Sequence, residues 1–287
     1  MRRSLPLCNA PRAVHPILFR IGSYEVPSYG VALTLAFAVG IWVARRRATA
    51  RGIDEESVID VCMLILVTSI IGARLLWVAT HTDQFQPPHG AWSEALNPFR
   101  GGSYVGFGGL SVLGGVVLAT LSALAFMRWK GLPVLRTADV LAPSVALGQG
   151  ITRIGCLLNG CCYGLPCDSW FCLRFPGGSP ADVSFHDHAV HATQLYSSAA
   201  GFASFVVLSL LLRRGLFDGA VFGAFLVLIS VERLLLDLVR HQDPSVVWFQ
   251  IGGTDFGANQ GVSVVLLVVG IGVLATLASR RPRPQTA

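Results

Sequence analysis

The chain has 287 residues, of which 53% are hydrophobic and only 13% charged. Those proportions exclude an ordinary soluble domain, where about a quarter of residues are charged, and fit a polytopic membrane protein. The formal net charge of +6 gathers beside the apolar segments, where it faces anionic lipid headgroups, so membrane lipid and not nucleic acid is the expected partner.

Seven segments are long enough to cross a bilayer, given the roughly 20 residues that a span requires. In chain order they are 28–45, 56–80, 103–128, 137–159, 193–212, 218–240 and 260–279. The expected fold is therefore all-α, a polytopic membrane protein with about seven transmembrane helices. An external amino-terminal segment covers 1–27, one membrane domain covers 28–279 with a small external cap at 160–192, and a disordered tail covers 280–287. The fourth span is the most polar, interrupted by Asp139, Pro143, Gln149 and Arg153; such residues are tolerated where a helix faces protein or a wet cavity. No internal repeat is visible.

Basic residues set the orientation. Arg45, Arg46, Arg47 and Arg51 follow span one; Arg128, Lys130 and Arg136 follow span three; Arg213 and Arg214 follow span five; Arg280, Arg281 and Arg283 follow span seven. The opposite loops at 81–102, 160–192 and 241–259 hold only Arg100 and Arg174. The amino terminus is thus expected outside and the carboxyl terminus in the cytoplasm, although Arg2, Arg3, Arg12 and Arg20 run against this on the external tail.

Polar residues inside the spans carry the chemistry. Tyr29 opens span one at the external interface, as a membrane anchor or as a headgroup ligand. Arg74 lies in span two, within Gly72-Ala73-Arg74. The Gly-rich run from Gly101 to Gly115, which includes Gly114, either packs helices closely or lets the backbone approach a headgroup. Span four ends in Arg153-Ile154-Gly155-Cys156-Leu157-Leu158-Asn159-Gly160-Cys161-Cys162-Tyr163-Gly164. An ionised side chain in hydrocarbon costs about 3 kcal/mol on insertion scales, and no acidic residue lies within seven positions of Arg153. Its expected counter-ion is an anionic ligand, and lipid phosphate is the abundant one.

Five of the seven cysteines crowd the external segment: Cys156, Cys161, Cys162, Cys167 and Cys172. An oxidising exterior favours disulfides, with Cys161 or Cys162 and the pair Cys167 and Cys172 as candidates whose connectivity stays open. Zinc is the rival, with His186, His188 and His191 nearby, but the paired Cys-x-x-Cys spacing is missing and no metal is expected. His191-Ala192-Thr193-Gln194-Leu195-Tyr196 opens span five, with Thr193 in position to cap the helix. In span six Arg233 and Asp237 stand four apart and can pair, Arg240 follows, and Gln260 begins span seven.

Over about residues 15–279 the chain resembles the bacterial prolipoprotein diacylglyceryl transferase family. The family signature is close to Gly-Arg-x-Gly-Asn-Phe-x-Asn-x-Glu-x-x-Gly, and Arg153, Gly155, Asn159 and Gly164 fall in register with it. The stretch from His15-Pro16-Ile17-Leu18-Phe19 to Ser28-Tyr29-Gly30, the triplet ending in Arg74, the glycines up to Gly114-Gly115, the His191–Tyr196 motif and the series Arg233, Asp237, Arg240 follow the family's landmarks in order. This chain has Leu113 where some members carry histidine, Cys156 and Cys161 where the signature has Asn and Glu, and Ala192 and Ser197 for the usual Pro and Glu.

The resemblance implies an enzyme of the bacterial cytoplasmic membrane that needs no cofactor. It implies transfer of the diacylglyceryl group of phosphatidylglycerol to the lipobox cysteine thiol of a prolipoprotein signal peptide, giving a thioether and glycerol phosphate. It also implies catalytic roles for Arg153, Arg233, Tyr29 and Asn159, and substrate contacts from Arg74, Arg240, Gly114, Gly164, His191, Gln194 and Gln260. With leucine at 113 the thiol is activated by His191, by Tyr29, or by the arginine field alone. The alternative is a non-catalytic lipid-binding or transport paralogue on the same scaffold.

Overall fold

A computed structural model describes residues 14–22, 24–85, 99–100, 103–104, 111–176, 179–186, 188–241, 247–251 and 254–279. The tail 280–287, the start of the external segment with Arg2, Arg3 and Arg12, and the glycines at 101, 102, 106, 108 and 109 lie outside the described residues.

The fold is mostly helical. The long helices are α1 (Ser28–Ala48), α2 (Glu55–Thr80), α3 (Val112–Trp129), α4 (Val134–Asn159), α6 (Thr193–Arg213), α7 (Ala220–Asp237) and α8 (Ala258–Ser279), with a short α5 (Pro180–Phe185) between α4 and α6. Six of them are long and apolar enough to cross a membrane. The exception, α7, carries Glu232, Arg233 and Asp237 in 18 residues, a density of charge that survives in a bilayer only against protein partners or water. The third helix begins at Val112 rather than at 103, because Ser103–Tyr104 instead pairs antiparallel with Phe99–Arg100 as the hairpin β4–β3.

The chain divides into two compact units, residues 45–137 and the remainder. In the first, α2 starts where the Asp54 carboxylate accepts the Ser57 amide at 2.8 Å, with Glu55 and Glu56 in the opening turn; both features favour a helix start. Gly72 of α2 and Gly114 of α3 press backbone to backbone, so a Cβ on either would collide with the other's carbonyl. Small residues at such a crossing let membrane helices approach closely. Ser122 also donates to Thr68 across the pair at 2.9 Å.

In the second unit, α4 lies against α1, α6 and α7. Ser198 of α6 donates to the Gly150 carbonyl at 2.8 Å. Asp139 of α4 is fully buried and accepts from the amides of Gly219 at 2.8 Å and Phe222 at 2.7 Å. It therefore caps α7 from another helix, satisfying donors that a helix start leaves open. Asp139→Ala is expected to lower stability by about 2 kcal/mol, since two buried amides lose their acceptor. Thermal unfolding in detergent reads this out, and an unchanged midpoint would refute it.

Two hairpins correct the expectation that no repeat exists. Strands β1 (Ile17–Ile21) and β2 (Tyr24–Pro27) lead into α1; β7 (Val247–Ile251) and β8 (Thr254–Gly257) lead into α8. Their registers match pair for pair, from Ile17 with Pro27 and Val247 with Gly257 to Ile21 with Tyr24 and Ile251 with Thr254, with the irregularity at the same step. One hairpin-to-helix module thus occurs at both ends of the chain. The shared residues are few, chiefly Phe19 with Phe249 and Ile21-Gly22 with Ile251-Gly252, so register reveals what identity conceals.

The segment between α4 and α6 contributes to a small apolar cluster of Val14, Phe175, Ala181 and Val190, with Leu157, Tyr163 and Phe185 packed against it.

Candidate functional site

The signature segment leaves α4 at Asn159, turns through Gly160, and runs as an extended strip between the start of α6 and the end of α7. Its backbone is fixed on both sides. The Gly164 amide donates to the His191 carbonyl at 2.9 Å and the Leu165 amide donates to the Val239 carbonyl at 2.8 Å. Gly164 also bridges Arg240 in antiparallel fashion. A Cβ at 164 would sit 2.5 Å from the Val239 oxygen and 2.6 Å from the His191 Cβ, which leaves room for glycine alone.

The first residues of α6 hold the strip from below. Thr193 Oγ1 donates to the Cys162 carbonyl at 2.6 Å, and Gln194 Nε2 donates to the Cys161 carbonyl at 2.8 Å. Thr193 is thus not the helix cap expected from its position: Ala192 occupies that place without a side-chain bond. Gln194 is 1% exposed, and its Oε1 has no partner. Cys162 adopts φ +62, a left-handed conformation costing a β-carbon residue about 1–2 kcal/mol, and the Thr193 bond to its carbonyl helps to hold it there. On the opposite side, a Cβ at Gly155 would lie 2.6 Å from the Ala32 Cβ and 3.4 Å from the Tyr29 Cα. Close packing of α1 on α4 at Gly155 thereby sets Tyr29 beside the signature.

Three guanidiniums meet here. Arg153, Arg233 and Arg240 are near enough for their charges to act on one another. Among the described residues neither Arg153 nor Arg240 has a carboxylate in ion-pair range, while Arg233 Nε lies 3.5 Å from Asp237 Oδ1. Asp237 is 5% exposed, and among the described residues neither of its oxygens has a hydrogen bond; its pair with Arg233 is a Coulombic contact.

Cysteines line the same place. Cys156, Cys161 and Cys162 are free, with sulfurs within 4.8 Å of one another. Contacts from the Cys156 and Cys161 thiols and the fields of Arg240 and Arg153 hold the Cys162 thiol below the ordinary thiol range, against the opposing effect of burial. Of the disulfide candidates, Cys167 and Cys172 are bonded, whereas Cys161 and Cys162 are not.

Other expected site residues also make contacts within the protein. His191 contributes its backbone to the strip, and its Nδ1 lies 3.4 Å from Tyr196 Oη. Gln260 Oε1 accepts the Gly257 amide at 2.8 Å, closing the β8–α8 junction. Arg74 and Gly114 belong to the other unit, where Arg74 is 4% exposed and stacks over Trp77 and Phe85 at 5.0 and 5.7 Å.

One polar cluster escaped the sequence reading. Glu232 of α7 accepts from Gln149 Nε2 at 2.8 and 2.6 Å through its two oxygens, and from Ser197 Oγ at 2.5 Å. Its carboxylate thus joins α4, α6 and α7 within the bilayer-spanning part of the chain. Gln149 lies four residues before Arg153, and Glu232 exerts its charge on Arg153. The available signal was Ser197, standing where the resembling motif has glutamate.

With that geometry in place, comparisons with known proteins identify the scaffold. The sequence model of the family described as prolipoprotein diacylglyceryl transferase matches residues 16–276. A phosphatidylglycerol--prolipoprotein diacylglyceryl transferase of Parasynechococcus marenigrum is 30% identical over 89% of this chain and 91% of its own length. The protein of that name from Symbiobacterium thermophilum is 29% identical over 94% of both chains, and the one from Clostridium tetani is 26% identical over 89% of this chain and 95% of its own.

Proposed function

The chain belongs to the prolipoprotein diacylglyceryl transferase family, and from that premise we propose that it moves the diacylglyceryl group of phosphatidylglycerol onto the lipobox cysteine of a prolipoprotein. The observation that carries this reading is the pair of guanidiniums, Arg153 and Arg240, held beside Arg233 in a membrane-embedded site with no carboxylate in ion-pair range among the described residues. A phosphodiester headgroup supplies the missing anion.

In the reaction the acceptor sulfur, as thiolate, attacks the glyceryl carbon bonded to a phosphate oxygen. A carbon–sulfur bond forms, the carbon–oxygen bond breaks, and its electron pair leaves on the phosphate. The leaving group gains charge as this bond breaks. Guanidinium donors aimed at it in a low-dielectric site therefore stabilise the transition state more than the bound lipid. Arg153 and Arg233 clamp the phosphate, and Tyr29, Asn159 and Gln260 orient the headgroup or the incoming thiol. The fields of Arg153 and Arg240 also favour the thiolate form of an incoming acceptor, in place of a dedicated base.

The headgroup site lies at the external end of the spans in the cytoplasmic membrane, with seven crossings, the amino terminus outside and the carboxyl terminus inside. The external face is where an exported signal peptide presents its cysteine.

Incubation of the purified protein with phosphatidylglycerol and a lipobox peptide should add the diacylglyceryl mass to the peptide, detected by mass spectrometry. Lipid binding without added mass would overturn the proposal in favour of the non-catalytic paralogue.

A further inference from the structure

Glu232 has no part in the mechanism above, yet an ionisable group within a membrane span marks function by default. Its two oxygens accept three bonds, from Gln149 Nε2 twice and from Ser197 Oγ. No arginine is in ion-pair range of it among the described residues, but its charge reaches Arg153 one helical turn from Gln149.

The charges in the site then count simply. Arg233 is offset by Asp237 at 3.5 Å. Arg153 and Arg240 contribute two positive charges, and Glu232 contributes one negative. Among the described residues the site therefore carries one formal net positive charge.

That number matters because transfer changes the charge of the phosphate. The lipid is a phosphodiester with one negative charge. The product is a phosphate monoester, whose second ionisation near pH 6 makes it close to dianionic at neutral pH. Substrate neutralises the site; product overshoots it.

We propose, building on the transferase reading, that Glu232 sets the charge of the headgroup site so that it retains a phosphodiester monoanion and expels the monoester dianion. In doing so α7 supplies, across the helix interface, the carboxylate that the resembling motif carries on α6 at position 197. Glu232 is a positioning and charge-setting residue and does not touch the reacting atoms.

Glu232→Gln keeps the shape and the acceptor oxygen while removing the charge. Glycerol phosphate should then bind on the order of tenfold more tightly, as expected when one unit charge is removed from a site of low effective dielectric constant. Product inhibition should rise by the same factor, and kcat should fall while KM for phosphatidylglycerol falls or holds. The reciprocal variant Ser197→Glu with Glu232→Ser returns the carboxylate from the other helix and should restore wild-type glycerol phosphate affinity. A merely structural role predicts the reverse pattern: a lower unfolding temperature, a raised KM, and no change in glycerol phosphate affinity. That pattern overturns the proposal, as does a reciprocal variant whose affinity stays with that of Glu232→Gln. Direct titration with glycerol phosphate needs no turnover. A wild-type protein that fails to transfer would defeat the transferase reading, while the titration still decides the role of Glu232.

Discussion

Replacing Arg153 by alanine is expected to abolish diacylglyceryl transfer while the protein still accumulates in the membrane. Arg153 sits on the last two turns of α4 with no carboxylate in ion-pair range among the described residues, so its removal should orphan none of these acids and leave helix packing intact. What disappears is a donor aimed at charge that develops as the carbon–oxygen bond breaks. Loss of a single such donor costs on the order of 10²–10³ in rate, about 3–4 kcal/mol. Lysine should not rescue, because an ammonium is a point charge without the planar fork that grips two phosphate oxygens. Transfer to a lipobox peptide, with membrane abundance measured in parallel, decides the matter. Activity retained in either variant would reject Arg153 as the phosphate ligand, and loss of the protein itself would assign the residue to folding.

The helices were legible because a span leaves a pattern that needs no tertiary information: roughly 20 apolar residues bounded by charge. Starts and ends agree within three residues for α1, α2, α4, α6, α7 and α8. The start of α3 was misjudged because the Gly-rich run before it is as apolar as a helix, and hydropathy does not separate the two. The site was legible where one stretch of sequence supplies both position and chemistry, as from Arg153 to Gly164. It was illegible where the chemistry is made by contact. Glu232 stands next to Arg233 in the sequence, yet its hydrogen-bond partners lie 83 and 35 residues away. Thr193 and Gln194 read as a helix opening, but their side chains reach back 31 and 33 residues to hold Cys162 and Cys161. The hairpin-to-helix repeat was hidden because strand register constrains backbone bonds and only loosely constrains side chains.

Gly164 carries the second large effect, and its cause is purely steric. Gly164→Ala should destabilise the protein by about 1–3 kcal/mol, the ordinary cost of overpacking, and should reduce transfer at least a hundredfold. The added methyl would lie 2.5 Å from the Val239 oxygen, 2.6 Å from the His191 Cβ and 3.0 Å from the His191 oxygen. None of these is the tip of a flexible side chain. Both neighbouring backbones are tied to the strip by its own amides, at 2.9 Å to His191 and 2.8 Å to Val239, so relief requires one bond to break. Whichever side yields, function suffers. Movement of the Val239 side carries Arg240 out of register with Gly164, and movement of the His191 side drags the start of α6 and loosens the Thr193 and Gln194 bonds to the signature. Gly272→Ala, in α8 with open space around the new Cβ, is the matched control and should leave activity intact and stability equal or slightly raised. Thermal unfolding and transfer measured on both variants test the claim; a Gly164→Ala protein as active as the Gly272→Ala control would show that the strip between α6 and α7 does not position the arginines.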